Sequence, residues 1–151
     1  MGTKQLLLIA LGIIIVGLAI SSGTDLFRSF SDQARIDEML NMTNHLLENA
    51  EVYYKTPTDL GGGGQSFKGW KPSRQLMKID GLGYIKPKQI TANKNKVQIQ
   101  IHSYAADGNG NTVRMIGFHQ YTNKGKLRKQ VKYWDDRIGK WITIYNETTN
   151  G

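Results

Sequence analysis

From Gln5 to Thr24 this chain carries no charged side chain, and its centre, Leu6 to Ile20, reads LLLIALGIIIVGLAI without one polar group. An uncharged stretch of about 20 residues is the length at which an α-helix crosses a hydrocarbon core of roughly 30 Å. A secretory signal is the competing reading, since its apolar region runs to about 7 to 15 residues, with a basic region before it and a small-residue cleavage site after it. Here Lys4 is the whole of the basic region and no clear A-x-A site follows. A retained membrane segment is therefore expected. Myristoylation at Gly2 is disfavoured, because Leu6 stands where the motif takes Ser or Thr.

The helical pattern continues beyond the apolar run. After Ser21, Ser22 and Gly23, the residues Leu26, Phe27, Phe30, Ala34, Ile36, Leu40, Thr43, Leu47, Ala50 and Tyr54 recur every three or four positions, with Asp32, Arg35, Asp37, Glu38 and Glu48 between them. That spacing lays an apolar stripe along one face of a helix. One long helix, apolar all round over 1–23 and amphipathic over 24–54, is expected to end before Thr56-Pro57. At 1.5 Å per residue it would measure roughly 80 Å, longer than any globule this chain can build. Its N-terminal half must then be covered by something other than the chain's own core, lipid first or copies of itself. Gly inside a helix costs about 1 kcal/mol relative to Ala, so Ser21 to Gly23 reads as a hinge or a melting point.

Residues 55–83 read as a connecting loop, centred on Gly61-Gly62-Gly63-Gly64 and followed by Phe67 and Trp70. Neither a Walker spacing nor a preceding strand supports a nucleotide site there. The glycines suit either a backbone that passes close to another surface, anchored by the two aromatics, or a flexible tether. From residue 84 the period changes to two. Tyr84 to Thr91, Lys96 to Tyr104, Thr112 to Tyr121, Leu127 to Trp134 and Lys140 to Tyr145 are β-branched and aromatic runs separated by Asn- and Gly-rich turns. Val97, Ile99 and Ile101 alternate with Gln98, Gln100 and His102, giving one apolar and one wet face. The expectation is an α+β fold, in which the long N-terminal helix packs on a four- or five-stranded antiparallel sheet over 84–151.

Charge is unevenly divided. Residues 1–55 hold four basic and six acidic side chains, whereas the remainder holds 16 basic and six acidic, a net +10. Lys124, Lys126, Arg128, Lys129, Lys132 and Arg137, interleaved with Tyr121, Tyr133 and Trp134, suit either a solvated strand face or a surface for nucleic acid. Alternation groups Lys126, Arg128, Gln130 and Lys132 on one face. With no Cys in the chain, thiolate metal sites and Cys nucleophiles are excluded. His45, His102 and His119 have neither zinc nor triad spacing. Asp107 to Asn111 begins like a calcium loop but lacks its Gly and its terminal Glu, and a hairpin turn accounts for it. Asn41-Met42-Thr43 and Asn146-Glu147-Thr148 match the glycosylation pattern, the first of them on the helix. No enzyme constellation and no cofactor are expected.

An apolar helix continuing into an amphipathic one, then a loop, then an antiparallel sheet, resembles the type IV pilin and pseudopilin superfamily over the whole chain. In that family an apolar N-terminus is interrupted by a Glu at the fifth mature position. With Met1 as the mature N-terminus, Gln5 stands there and keeps the hydrogen-bonding amide without the charge. Processing after Gly2 would instead make Leu7 the fifth residue. The resemblance implies a structural subunit of an extracellular helical filament. Leu6, Leu8, Ile9, Leu11, Ile13, Ile14, Ile15, Val16, Leu18 and Ile20 would form its core, Met1 and Gln5 a polar contact, and Ser21, Ser22 and Gly23 the stretch that melts on assembly. The implied partners are copies of the chain, the cytoplasmic membrane before assembly, and at the surface a nucleic acid or other ligand. The alternative is a minor pilin or pseudopilin that binds DNA or a secretion partner through its basic part.

Overall fold

The computed structural model describes residues 2–79, 83–106, 112–135 and 138–150, with side chains described outside 78–88 and 103–112. It is an α+β fold: one long N-terminal helix, then an antiparallel sheet. The chain divides into two compact units, residues 1–34 and 35–151.

Helix α1 runs from Gly2 to Lys55. In the first unit it is continuous through Ser21, Ser22 and Gly23, and the Thr24 hydroxyl donates to the Ile20 carbonyl at 2.9 Å. The side-chain bond spans the stretch that the glycine weakens, a back-bonding that also tends to bend helices.

In the second unit the helix supplies one side of a core. Met39, Thr43, Leu46, Leu47 and Ala50 are buried, and Ile36, Leu40, Met42, Tyr53 and Tyr54 pack beside them. This corrects the expected stripe at both ends of its logic. Leu26, Phe27 and Phe30 are exposed, so the cover over the sheet begins at Ile36. Met39 and Leu46, absent from that stripe, are among the best-buried residues of the chain. The helix ends where Pro57 disfavours helical geometry in the residue before it.

The sheet has six strands in sequential order, β1 (Lys78–Ile79), β2 (Gly83–Ala92), β3 (Lys96–Ala106), β4 (Thr112–Tyr121), β5 (Lys126–Asp135) and β6 (Lys140–Asn150). Every pairing is between chain neighbours and antiparallel. The two-residue β1 adds a strand inside the expected connecting loop. Strand β6 continues past Tyr145 to Asn150, because β5 pairs it all along, Lys126 opposite Asn150.

Val97, Ile99 and Ile101 of β3, Val113 and Met115 of β4, and Leu127 and Val131 of β5 point to the helix side. Gly117 sits among them on β4, and a Cβ there would collide with Thr43 Cγ2 and lie 2.9 Å from Leu47 Cδ1. Helix and sheet therefore approach closely over a residue with no side chain, the use to which strand glycines are put. Gly117→Ala is expected to force the helix outward and to destabilise the second unit by about 1 to 3 kcal/mol, read as a lowered midpoint in urea. Unchanged stability would show that the crossing has slack.

The Gly-rich loop closes the helix. The amides of Gly63, Gln65 and Gly64 donate to the carbonyls of Tyr53, Tyr54 and Thr56 at 2.7, 2.8 and 3.0 Å. These are acceptors that a helix C-terminus leaves unpaired. Phe67 is fully buried, and the Trp70 indole donates to Asn49 Oδ1 at 3.2 Å. The loop is thus the packed form of the two expected, and the surface it approaches is the end of its own helix.

Candidate assembly and binding surfaces

Three places could carry function. The first lies in residues 1–34. Every side chain from Gly2 to Ser31 is exposed, and the helix is long and apolar enough to cross a membrane, with none of its most apolar stretch buried. Leu6, Leu8, Ile9, Leu11, Ile13, Ile14, Ile15, Val16, Leu18 and Ile20 form this surface, and Leu26, Phe27 and Phe30 extend it. Gln5 is exposed on the same helix, and Met1 lies outside the described residues. Soluble monomers rarely expose apolar patches beyond a few hundred Å². A surface of this kind needs an apolar neighbour.

The second is a polar cluster where the helix meets β4 to β6. Glu51, one turn before the helix end, receives Lys55 Nζ at 2.9 Å and Lys129 Nζ at 3.1 Å. Burial works to raise the Glu51 pKa, but the two ammonium groups overcome it and hold the carboxyl below its ordinary value. His119 Nδ1 lies 3.7 Å from the same carboxylate, beyond hydrogen-bond distance, and the ring is 2 % exposed. Burial first, and the Lys129 charge second, hold His119 down to about 4 against the pull of Glu51. It is neutral at pH 7, so its approach to Glu51 is not an ion pair.

Beside it a recess of about 150 Å³ is lined by Asn44, Glu48, His119, Lys129, Tyr145 and Glu147. The Tyr145 hydroxyl donates to Asn44 Oδ1 at 2.6 Å, and its pKa is raised by burial and by Glu147 and Glu48. Among the described residues no three His, Cys, Asp or Glu side chains are placed to hold a metal ion. These groups fasten the helix to the sheet.

His119 carries a pH consequence. The unfolded chain takes up the imidazole proton near pH 6.5, the folded chain only near pH 4. Below 6.5 the unfolded state binds more protons, so stability is complete above that pH and falls as pH drops towards 4. The loss is expected to approach about 3 kcal/mol, read from urea midpoints across that range. His119→Gln should flatten the curve, and an unflattened curve would place the acid sensitivity elsewhere.

The third is the sheet face turned away from the helix. Lys126, Arg128 and Lys132 stand there, as alternation expects. Lys129 points the other way, to Glu51, and does not belong to this surface; period-two alternation sends it across. Lys124 is exposed in the β4–β5 turn. Tyr121 is buried in the core, Tyr133 packs against it, and Arg137 and the loop Asp107 to Asn111 lie outside the described residues. Sequence reading missed Lys96 of β3 and Arg114 and Phe118 of β4, which join the face from strands outside the basic run. Lys96 Nζ lies 4.9 Å and the Arg128 guanidinium 5.9 Å from the Phe118 ring centre. Arg114 lies 5.1 Å over Trp134, which meets Trp141 edge-on at 5.4 Å.

Comparisons with protein-family models, with characterised proteins and with solved structures found no match to this chain.

Proposed function

We propose that this chain is a structural subunit of an extracellular helical filament of type IV pilus-like architecture, assembled by bundling of its N-terminal helices. The observation that carries the reading is the run of aliphatic side chains from Leu6 to Ile20, all exposed, in a unit where none of the described residues is buried. Lipid covers such a helix while the subunit waits in the cytoplasmic membrane. Copies of the same segment cover it in the polymer, where van der Waals packing of identical apolar faces replaces the acyl chains. Ser21, Ser22 and Gly23 are the stretch that would unwind as subunits pack, and Met1 and Gln5 the polar groups that would need partners inside the bundle. The part carrying the sheet would face outward, at the cell surface. No catalytic role is part of this reading.

Electron microscopy of fractions sheared from cells producing the full chain tests it. Thin helical polymers containing this chain are expected. A chain found solely as a membrane-embedded monomer, or a sheet protected from protease in intact cells, would overturn it.

A further inference from the structure

Strand parity gives the sheet two chemically different faces. The helix covers the one that holds Val97, Ile99, Met115 and Val131. The other takes the alternate residues of each strand. Lys96, Arg114, Lys126, Arg128 and Lys132 stand on it, and the register sets Arg114 opposite Trp134, Ile116 opposite Lys132, Phe118 opposite Gln130 and Gln120 opposite Arg128. Among the described side chains this face carries no Asp or Glu, since Glu147 of β6 lines the recess on the helix side.

Two aromatic groups are set into this basic field. Phe118 is half-buried on β4, with Gln98 of β3 and Gln130 of β5 opposite it. Trp134 is half-buried on β5 and paired with Trp141, itself 36 % exposed. Neither Phe118 nor Trp134 belongs to the core that the sheet shares with the helix. The two groups are four residues apart in register, about 13 Å along the strands. Glutamine amides from three strands lie between and beside them, able both to donate and to accept.

We propose that this outer face of β3 to β6 binds single-stranded nucleic acid, with Phe118 and the Trp134–Trp141 pair as base-stacking platforms and the surrounding cations as phosphate contacts. Flat sheets that present aromatic rings within a basic surface take up unpaired bases in this way, because every base has a π-face and every linkage a charge. A duplex hides its base faces in its own stack, so it would meet only the cations. The same separation distinguishes the proposed occupant from an anionic lipid surface, which needs charge and does not need rings. Arg128 is already oriented, its Nε donating to Asn146 Oδ1 at 3.2 Å. Lys96 and Arg128, beside the Phe118 ring, are within reach of the phosphates that flank a stacked base. The inference concerns the sheet alone and stands whether or not the chain polymerises.

The test uses the full chain held as a monomer in non-ionic detergent, titrated with fluorescent oligothymidylate at several salt concentrations. Binding that weakens with salt is expected, and Phe118→Ala or Trp134→Ala should each weaken it roughly tenfold. Phe118→Tyr and Trp134→Phe should restore it, which separates stacking from damage to the fold. Lys126→Gln or Lys132→Gln should each lower the salt slope by about 0.7, while Lys68→Gln, off this face, leaves it unchanged. Equal affinity for a duplex of the same length, equal affinity for mixed micelles carrying an anionic lipid, or aromatic truncations without effect would each overturn the proposal.

Discussion

Ile14→Asp is expected to abolish polymer formation while leaving residues 35–151 folded. Ile14 is 58 % exposed in the isolated chain, so nothing in the monomer's core opposes the carboxylate. Among the described residues, the buried core and the side chains packed against it start at Ile36. In a bundle of like helices the same side chain would be dry and unpaired, at a cost of several kcal/mol per subunit. Repeated at every helix of a polymer, that cost leaves no filament. The measurement pairs electron microscopy of sheared fractions with near-UV circular dichroism of the purified chain, and Ile14→Leu serves as the apolar control. Filaments of normal number from Ile14→Asp would refute the bundle, whereas loss of the near-UV signal would point to misfolding.

Phe67→Ala is expected to remove about 3 to 5 kcal/mol, a large share of the 5 to 15 kcal/mol that typically holds a domain together. Phe67 is fully buried, its ring centre 4.6 Å from that of Tyr54 and 6.0 Å from that of Tyr121. Tyr54 in turn stacks on Tyr121 at 4.1 Å with the planes 10° apart. One ring therefore joins the last turn of the helix, the loop and the end of β4. Its backbone joins a fourth element, the Phe67 amide donating to the Lys94 carbonyl in the β2–β3 turn at 3.1 Å. Truncation opens a cavity and releases the loop that satisfies the helix carbonyls. A lowered urea midpoint together with new proteolysis between residues 61 and 70 is the expected pair of results. A stability loss without new cleavage would mean that the glycine hydrogen bonds hold the loop by themselves.

The sheet was legible because period-two alternation survives wherever one face is buried. Val97, Ile99 and Ile101 announce β3 without ambiguity, and the Asn- and Gly-containing turns bound its neighbours. Past Tyr145 the signal fails, since Asn146 to Asn150 are all exposed and no apolar residue marks a face. Pairing with β5, a tertiary effect, carries that stretch. The helix was legible in type and length, but not in which part is covered. The apolar repeat continues through Leu26, Phe27 and Phe30 as if one surface lay beneath it all. The limit is set by where the sheet lies, which no local pattern encodes. Gly117 was the missed signal, an isolated glycine inside a strand, which marks a close approach. Of the basic surface, alternation gave the β5 residues but could not show that Lys96, Arg114 and Phe118 would join them, because register between strands decides that.

Sequential strand order has a kinetic consequence. Each strand of the meander finds its partner a few residues away across a turn, so hairpins can close as the chain is made, at little entropic cost. The helix cannot share that economy. Thr43 reaches Met115 across 72 residues, and the close crossing at Gly117 is farther still along the chain. During synthesis Met39, Leu46 and Leu47 must wait, bare, until β4 has emerged. Docking of the helix on β4 therefore closes the contacts that carry the larger loop-closure cost. A membrane already holding residues before it would keep that waiting surface away from other nascent chains, turning the apolar N-terminus into a tether that protects the fold as well as a surface to be covered.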